Sequence, residues 1–273
     1  MSTFATIAGR VFDALLAPFA GTSPWPAMIW VALLTTVCVL LVFKFGSNQQ
    51  AIRRKKNRML ARLLEMVLFE DLVVTLGALR RMLAAQLVYL GALLVPLGLC
   101  LPVLALLLSQ SSAWFAARPV PVGARTVLTA RLSQESPVMD QEIALTAAEG
   151  IAVEAGPIRA PARNTISWRL RVDRSGPGWV DLAVNGTVLR KQIVAGSRTC
   201  RVSPTRARWG PLQAFGHAGE PALTAEAPVE RIRLQYPERR LPLGRFRLHW
   251  LATFLLLTLL FGLVLKGPLR VTV

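Results

Sequence analysis

Three apolar runs without a charged residue, Ala27 to Phe43, Leu83 to Leu108 and Leu251 to Leu265, constrain this chain more than any other feature. They are 17, 26 and 15 residues long in a chain of 273. A helix that crosses a bilayer needs about 20 apolar residues, with a range of about 17 to 25. The third run is short by itself, but His249 and Trp250 before it and Lys266 after it are residue types that sit at membrane interfaces and extend a span. All three runs are predicted to be transmembrane helices, with Trp25, Trp30 and Trp250 as interface anchors.

The runs divide the chain. The expected order is an N-terminal amphipathic helix at 1–24, a span at 25–43, a basic helical segment at 44–82 and a second span at 83–109. A β-rich domain follows at 110–247, then a third span at 248–266 and a tail at 267–273. Phe4, Ile7, Val11 and Leu15 recur at helical spacing in the first segment, which predicts a short helix that lies on the bilayer or packs on the protein's own spans. Pro96 and Pro102 predict a kink in the second span.

The net charge of +17 raises the question of nucleic acid. Sorted by segment, the charge favours lipid. Residues 44–82 carry nine Lys or Arg against three acids, and Arg53, Arg54, Lys55, Lys56, Arg58 and Arg62 follow the first span directly. That is the pattern of a cytoplasmic loop beside anionic lipid, and these six are the predicted membrane-surface residues. No nucleic-acid partner is expected.

Counting short loops and tails, the side holding 44–82 and the C-terminus has eleven Lys or Arg, and the N-terminal tail has Arg10 alone. The N-terminus and the β-rich domain are therefore expected outside, and the C-terminus inside. Arg239, Arg240, Arg245 and Arg247, just before the third span, run against this count. Long loops translocate largely regardless of charge, so the orientation stands. Arg greatly outnumbers Lys and Ala is abundant, which suggests a high-GC bacterial source and a multi-pass protein of the bacterial inner membrane.

Between the second and third spans the texture changes to short alternating runs. Ile166, Trp168, Leu170 and Val172 alternate with Thr165, Ser167, Arg169 and Arg171, the period of a strand with one buried face. Val180 to Val184 and Thr187 to Val194 flank Asn185-Gly186, a strong hairpin signal. These three runs are expected to form one antiparallel meander. Further strands are expected at Thr126 to Leu132, Glu142 to Ala147, Ile151 to Glu154, Thr199 to Val202 and Val229 to Tyr236, with a long loop over 204–227. The fold class is thus membrane α-helical with an inserted all-β, immunoglobulin-like sandwich.

No residue pattern reads as catalytic. There are two histidines, His217 and His249, and three cysteines, Cys38, Cys100 and Cys200, too few and too scattered for a triad, a metal cluster or a disulfide framework. His217 and Glu220 are expected to be solvated loop residues, and Cys200 a small buried residue in a strand. Phosphate-binding loops and dinucleotide fingerprints are missing, so neither cofactor nor metal is expected. Within the spans only Thr35, Thr36, Gln86, Thr253 and Thr258 offer polarity, where ion-coupled carriers place ionisable groups.

The runs "SNQQAIRRKKNRMLARLLEMVLFEDLVVTLGALRRML", "YLGALLVPLGLCLPVLALL", "ARPVPVGA" and "HWLATFLLLTLLFGLVLKGPLRVTV" resemble an uncharacterised bacterial family of three-span membrane proteins, a likeness that covers most of the chain and implies no particular activity. In topology alone the chain is similar to YidC-type membrane insertases. It departs from them in having no arginine within the spans and in the domain that separates the last two. The reading that follows is a non-enzymatic, membrane-anchored scaffold or accessory subunit whose β-domain meets a membrane or periplasmic protein, or a second copy of the chain. An insertion or translocation factor is the alternative.

Overall fold

The computed structural model describes residues 2–46, 54, 55, 57, 61, 72–208, 210, 219–243 and 245–269. Four helices stand among them: α1 (Ser2–Leu16), α2 (Pro24–Gly46), α3 (Leu72–Phe115) and α4 (Trp250–Leu265). Two are long and apolar enough to cross a membrane, α2 and the part Met82–Phe115 of α3, while α4 is a shorter apolar helix of 16 residues. Pro96 and Pro102 lie inside α3. The basic segment 44–82 falls mostly outside the described residues, although Arg54, Lys55 and Asn57 are helical.

The described residues divide into two compact units, those of Met1–Met28 with Leu108–Thr253, and those of Ile29–Leu107 with Phe254–Val273. In the second, Thr36 Oγ1 donates to Ala32 O (2.8 Å) and Thr258 O (3.3 Å), and Cys100 Sγ donates to Val39 O (3.7 Å). The three apolar helices therefore touch through small polar groups that return their hydrogen bonds to backbone carbonyls. Much of their apolar surface stays uncovered, including Leu87, Leu94 and Val95 of α3 and Leu259, Leu263 and Val264 of α4.

The first unit is predominantly β. Its strands are β1 (Arg125–Leu132), β2 (Ile143–Ala147), β3 (Ile151–Ala160), β4 (Thr165–Val172), β5 (Gly176–Val184), β6 (Thr187–Ala195), β7 (Thr205–Ala207), β8 (Val229–Leu234), β9 (Arg240–Leu243) and β10 (Phe246–His249). They form three antiparallel sheets of order β3-β4-β1-β8-β7, β2-β5-β6 and β10-β9.

The first two sheets share one core. Leu128, Ala130, Ile166, Trp168, Leu170 and Ile232 come from one, and Val180, Leu182, Val184, Leu189 and Ile193 from the other. The alternation foreseen in β4 is observed, with Ile166, Trp168, Leu170 and Val172 buried. The β5–β6 hairpin is also observed. Asn185 and Gly186 both adopt positive φ, 47° and 81°, and Val184 pairs with Thr187. That turn matches the right-handed twist of its strands, and glycine takes the left-handed conformation without a Cβ penalty.

The meander is corrected. β4 pairs with β1 and β3, and only β5 and β6 pair with each other, so the chain changes sheets between Val172 and Gly176. Thr199 to Val202 is not a strand, Thr205–Ala207 is one within the expected loop, and β9–β10 is a hairpin not foreseen. Helix α3 extends beyond the expected end of the span at 109 to Phe115, burying Ala113, Trp114 and Phe115.

Helix α1 is amphipathic in two directions. Phe12 and Leu16 are buried, whereas Ile7, Val11 and Leu15 of the expected stripe are exposed. Asp13 holds the buried side: its carboxylate accepts from Trp114 Nε1 (3.0 Å) and from Arg201 Nη1 (2.5 Å). α1 thus docks by an ion pair and a charge-assisted hydrogen bond and leaves an apolar stripe uncovered.

Candidate functional site

The outer face of the five-stranded sheet follows from the same period-2 rule that builds the core. With Leu128, Leu170 and Leu234 turned in, the alternate positions turn out, and arginine dominates them. Arg125 and Arg131 of β1, Arg169 and Arg171 of β4, and Arg231 and Arg233 of β8 are all exposed. The register brings them together, since Arg125 lies opposite Arg171 and Arg131 lies opposite Arg231. Thr129 and Ser167 sit between them, hydroxyl to hydroxyl at 3.1 Å.

Like charges directly opposite each other destabilise a sheet, so this face costs stability wherever no carboxylate intervenes. Glu154 relieves one pair, accepting from Arg125 Nε (2.7 Å) and Arg171 Nη1 (3.2 Å). Asp173 accepts from Arg171 Nε (2.7 Å), and this bond, the Asp173 charge and then the Glu154 charge raise the Arg171 guanidinium above its ordinary value. Arg131 meets Glu230 at 3.4 Å. Among the described residues no carboxylate pairs with Arg169, Arg231 or Arg233. The face therefore presents exposed guanidinium groups, planar donors suited to two-pronged bonds with carboxylates.

The opposite sheet is organised differently. Arg190 donates from Nε and Nη2 to the two oxygens of Asp181 (2.8 and 2.7 Å) and stacks over the Trp179 ring at 4.3 Å. The hydrogen bond from Arg190 is the main cause that lowers the Asp181 carboxyl, against desolvation. This arginine is spent on its own strand pair.

Beneath that sheet lies a buried ion pair that the sequence reading missed. Lys191 is fully buried at an inward position of β6, between Leu189 and Ile193. Its Nζ donates to the Glu220 carboxylate, to Ser203 O (2.6 Å) and to Gln192 O (3.3 Å), while Gln192 N donates to Glu220 Oε1 (2.5 Å). Burial lowers the Lys191 ammonium below its ordinary value, Glu220 opposes that by charge and hydrogen bond, and Arg206 adds to it. Glu220 is thus a clamp on the loop before β8, which corrects its expected place as a solvated residue; His217 lies outside the described residues. The signal for Lys191 was its parity with Leu189 and Ile193.

Cys200 is half-buried and outside any strand, which corrects its expected position. Burial pushes its thiol up and Arg239 only partly opposes this, so it lacks the lowered value of a reactive thiol. Of the predicted interface anchors, Trp25 is half-buried, Trp30 is exposed and Trp250 is 7% exposed, its ring 5.9 Å from that of His249. Of the predicted lipid-binding cluster, Arg54 is exposed and Lys55 half-buried; Arg53, Lys56, Arg58 and Arg62 lie outside the described residues. Among the described residues no group of three or more His, Cys, Asp or Glu is placed to hold a metal. The chain matches no protein-family model, no curated protein and no solved structure.

Proposed function

We propose that this chain is a non-enzymatic, membrane-anchored scaffold or accessory subunit that docks an acidic protein partner on the arginine face of its five-stranded sheet. The observation that carries the reading is the register that sets Arg125 opposite Arg171 and Arg131 opposite Arg231, with Arg169 and Arg233 exposed on the same face and without a carboxylate among the described residues. A surface that works against its own sheet's stability needs a reason outside the fold, and an acidic partner supplies the missing carboxylates.

In this proposal α2, α3 and α4 are three spans of a bacterial inner membrane, with the N-terminus outside and the C-terminus inside. The exposed leucines of α3 and α4 support that, because lipid covers them at no cost. The uncovered stripe Ile7, Val11 and Leu15 supports an interfacial place for α1. The β region is taken as a sandwich, immunoglobulin-like in class, from the core its two larger sheets share. Its strand order, with β1 central, is its own and differs from the immunoglobulin arrangement. The resemblance to uncharacterised three-span bacterial proteins fits the same layout.

The test is recovery of the partner in mild detergent by the wild-type chain and by the variant Arg169→Gln/Arg231→Gln/Arg233→Gln. The wild type brings down an acidic protein whose recovery falls as salt rises, and the variant does not. Equal recovery by the variant contradicts the docking face. Orientation is read separately, by labelling a cysteine at the exposed Ser197 position, in an otherwise cysteine-free chain, with an impermeant reagent on intact cells. Labelling only after lysis reverses it.

A further inference from the structure

The four arginines before α4 that run against the charge count include three, Arg239, Arg240 and Arg247, that line one cleft, and Arg118 completes it. The backbone fixes their positions. Past the end of α3 an isolated bridge joins Ala117 to Glu238, with Arg118 N donating to Pro237 O (3.0 Å) and Arg239 N to Ala116 O (3.1 Å). This sets Arg118 next to Arg239. In the β9–β10 hairpin, Arg247 pairs with Pro242 and Arg240 with His249, so Arg240 and Arg247 share one face. The result is an open cleft of about 570 Å³, lined by these four arginines, Ser197 and Glu238 among others.

The charges in it do not balance. Glu238 is the one carboxylate of the lining and meets Arg240 at 3.5 Å, both well exposed. Arg239 is 8% exposed and reaches no carboxylate among the described residues. Its Nε donates to Ala117 O and its Nη1 to Thr199 Oγ1, each at 3.3 Å, while its Nη2 is buried without a partner. Burial lowers this guanidinium below its ordinary value, Cys200 opposes that, and Arg118 lowers it further. A buried cation without a carboxylate and three exposed guanidiniums lining one open cleft are the complement of a multiply bonding anion.

We infer that the cleft of Arg118, Arg239, Arg240 and Arg247 binds a phosphate group, with the exposed guanidiniums of Arg118, Arg240 and Arg247 closing around its oxygens and the buried, carboxylate-free Arg239 adding positive charge beneath them. Two sources carry that chemistry, an anionic lipid headgroup and a soluble phosphate. The headgroup source rests on the spans proposed above: Arg118 follows the end of α3 and Arg247 precedes the start of α4, where headgroups lie if both helices cross the bilayer. The site itself does not need that reading, nor the arginine face of the sheet.

The test is the melting midpoint of the full chain in a neutral detergent, with ionic strength held constant. It is titrated with inorganic phosphate, with dihexanoyl phosphatidylglycerol, and with sodium chloride as the reference. Binding to the folded state raises the midpoint with the logarithm of ligand concentration. The wild type responds to at least one phosphate compound above the chloride reference. Arg118→Gln/Arg247→Gln, whose changes are both exposed and leave Arg239 in place, needs about tenfold more ligand for the same rise, as loss of charge-assisted bonds requires. Arg174→Gln, at an exposed pair with Glu149 elsewhere, responds as wild type. A response to phosphatidylglycerol alone identifies the headgroup, a response to inorganic phosphate alone a soluble ligand, and a response to both a site that accepts either. The inference is overturned if neither compound exceeds chloride, if the double variant responds as wild type, or if Arg174→Gln loses the response equally.

Discussion

Leu170 of β4 and Leu94 of α3 are the same side chain in opposite situations. The first is 0% exposed in a core that two sheets make for themselves, and the second is 64% exposed on an apolar helix. Burying a leucine contributes about 1.5 to 3 kcal/mol, so a fold that leaves a row of them uncovered gives up that stabilisation unless something outside the chain covers them. The β region supplies its own apolar environment, while the helices require one. The two faces of the five-stranded sheet repeat the contrast in polarity: the inner face completes itself, and the outer face leaves Arg169, Arg231 and Arg233 without a carboxylate among the described residues.

The largest effect belongs to the self-sufficient side. Trp168 is 3% exposed at the centre of the shared core, and Trp168→Ala is expected to cost about 3 to 5 kcal/mol. Thermal or denaturant unfolding of the full chain in detergent, followed by far-ultraviolet circular dichroism at strand wavelengths, reads this. A midpoint unchanged by the substitution would remove the shared core from the account.

Next comes the clamp under β6. Glu220→Gln leaves the fully buried Lys191 without its charge partner, and breaking a buried pair from one side costs about 3 kcal/mol or more. Because the Lys191 ammonium is held below 10.5, the unfolded chain binds more protons than the folded one between the folded value and 10.5. Stability therefore rises with pH through that interval. The wild-type midpoint should climb relative to Lys191→Met as pH approaches 10. Tyr236, which burial raises, acts in the opposite sense only above its ordinary 10.0.

Helix positions sharpen the contrast from the other side. Leu94→Ala and Leu259→Ala change exposed side chains and are expected to shift unfolding of the β region by about 0.5 kcal/mol or less. A shift as large as that of Trp168→Ala would mean that the helices belong to the same cooperative core.

What the sequence disclosed and what it hid follow from the range of the interactions. Burial in β4 and the Asn185-Gly186 turn depend on neighbours a few residues away, and both were legible. β4 pairs with β3 and β1 rather than β5, and the pairing with β1 joins distant strands that no local period encodes. Lys191 had the right parity to be inward, but its charge argued for the surface. Its partner Glu220 stands across a stretch without periodicity. Arg169 and Arg171 were legible as outward residues; their convergence with Arg125, Arg131, Arg231 and Arg233 needed the register of three strands. The arginines before α4 were visible only as an exception to a charge rule, because Arg118, which joins them, lies at the far end of the domain in sequence.

A small stability effect tests the proposed docking face most directly, because its sign separates structure from function. Arg169→Thr/Arg231→Thr/Arg233→Thr removes crowded like charges from the outer face and adds a β-branched residue suited to a strand. The full chain in detergent is therefore expected to gain stability, by about 0.2 to 1 kcal/mol for the directly opposed pair Arg131–Arg231 that it relieves, while losing the acidic partner that the wild type recovers. A variant that melts lower than wild type, or melts higher and still recovers the partner, would contradict the claim that these arginines are held on the sheet for docking.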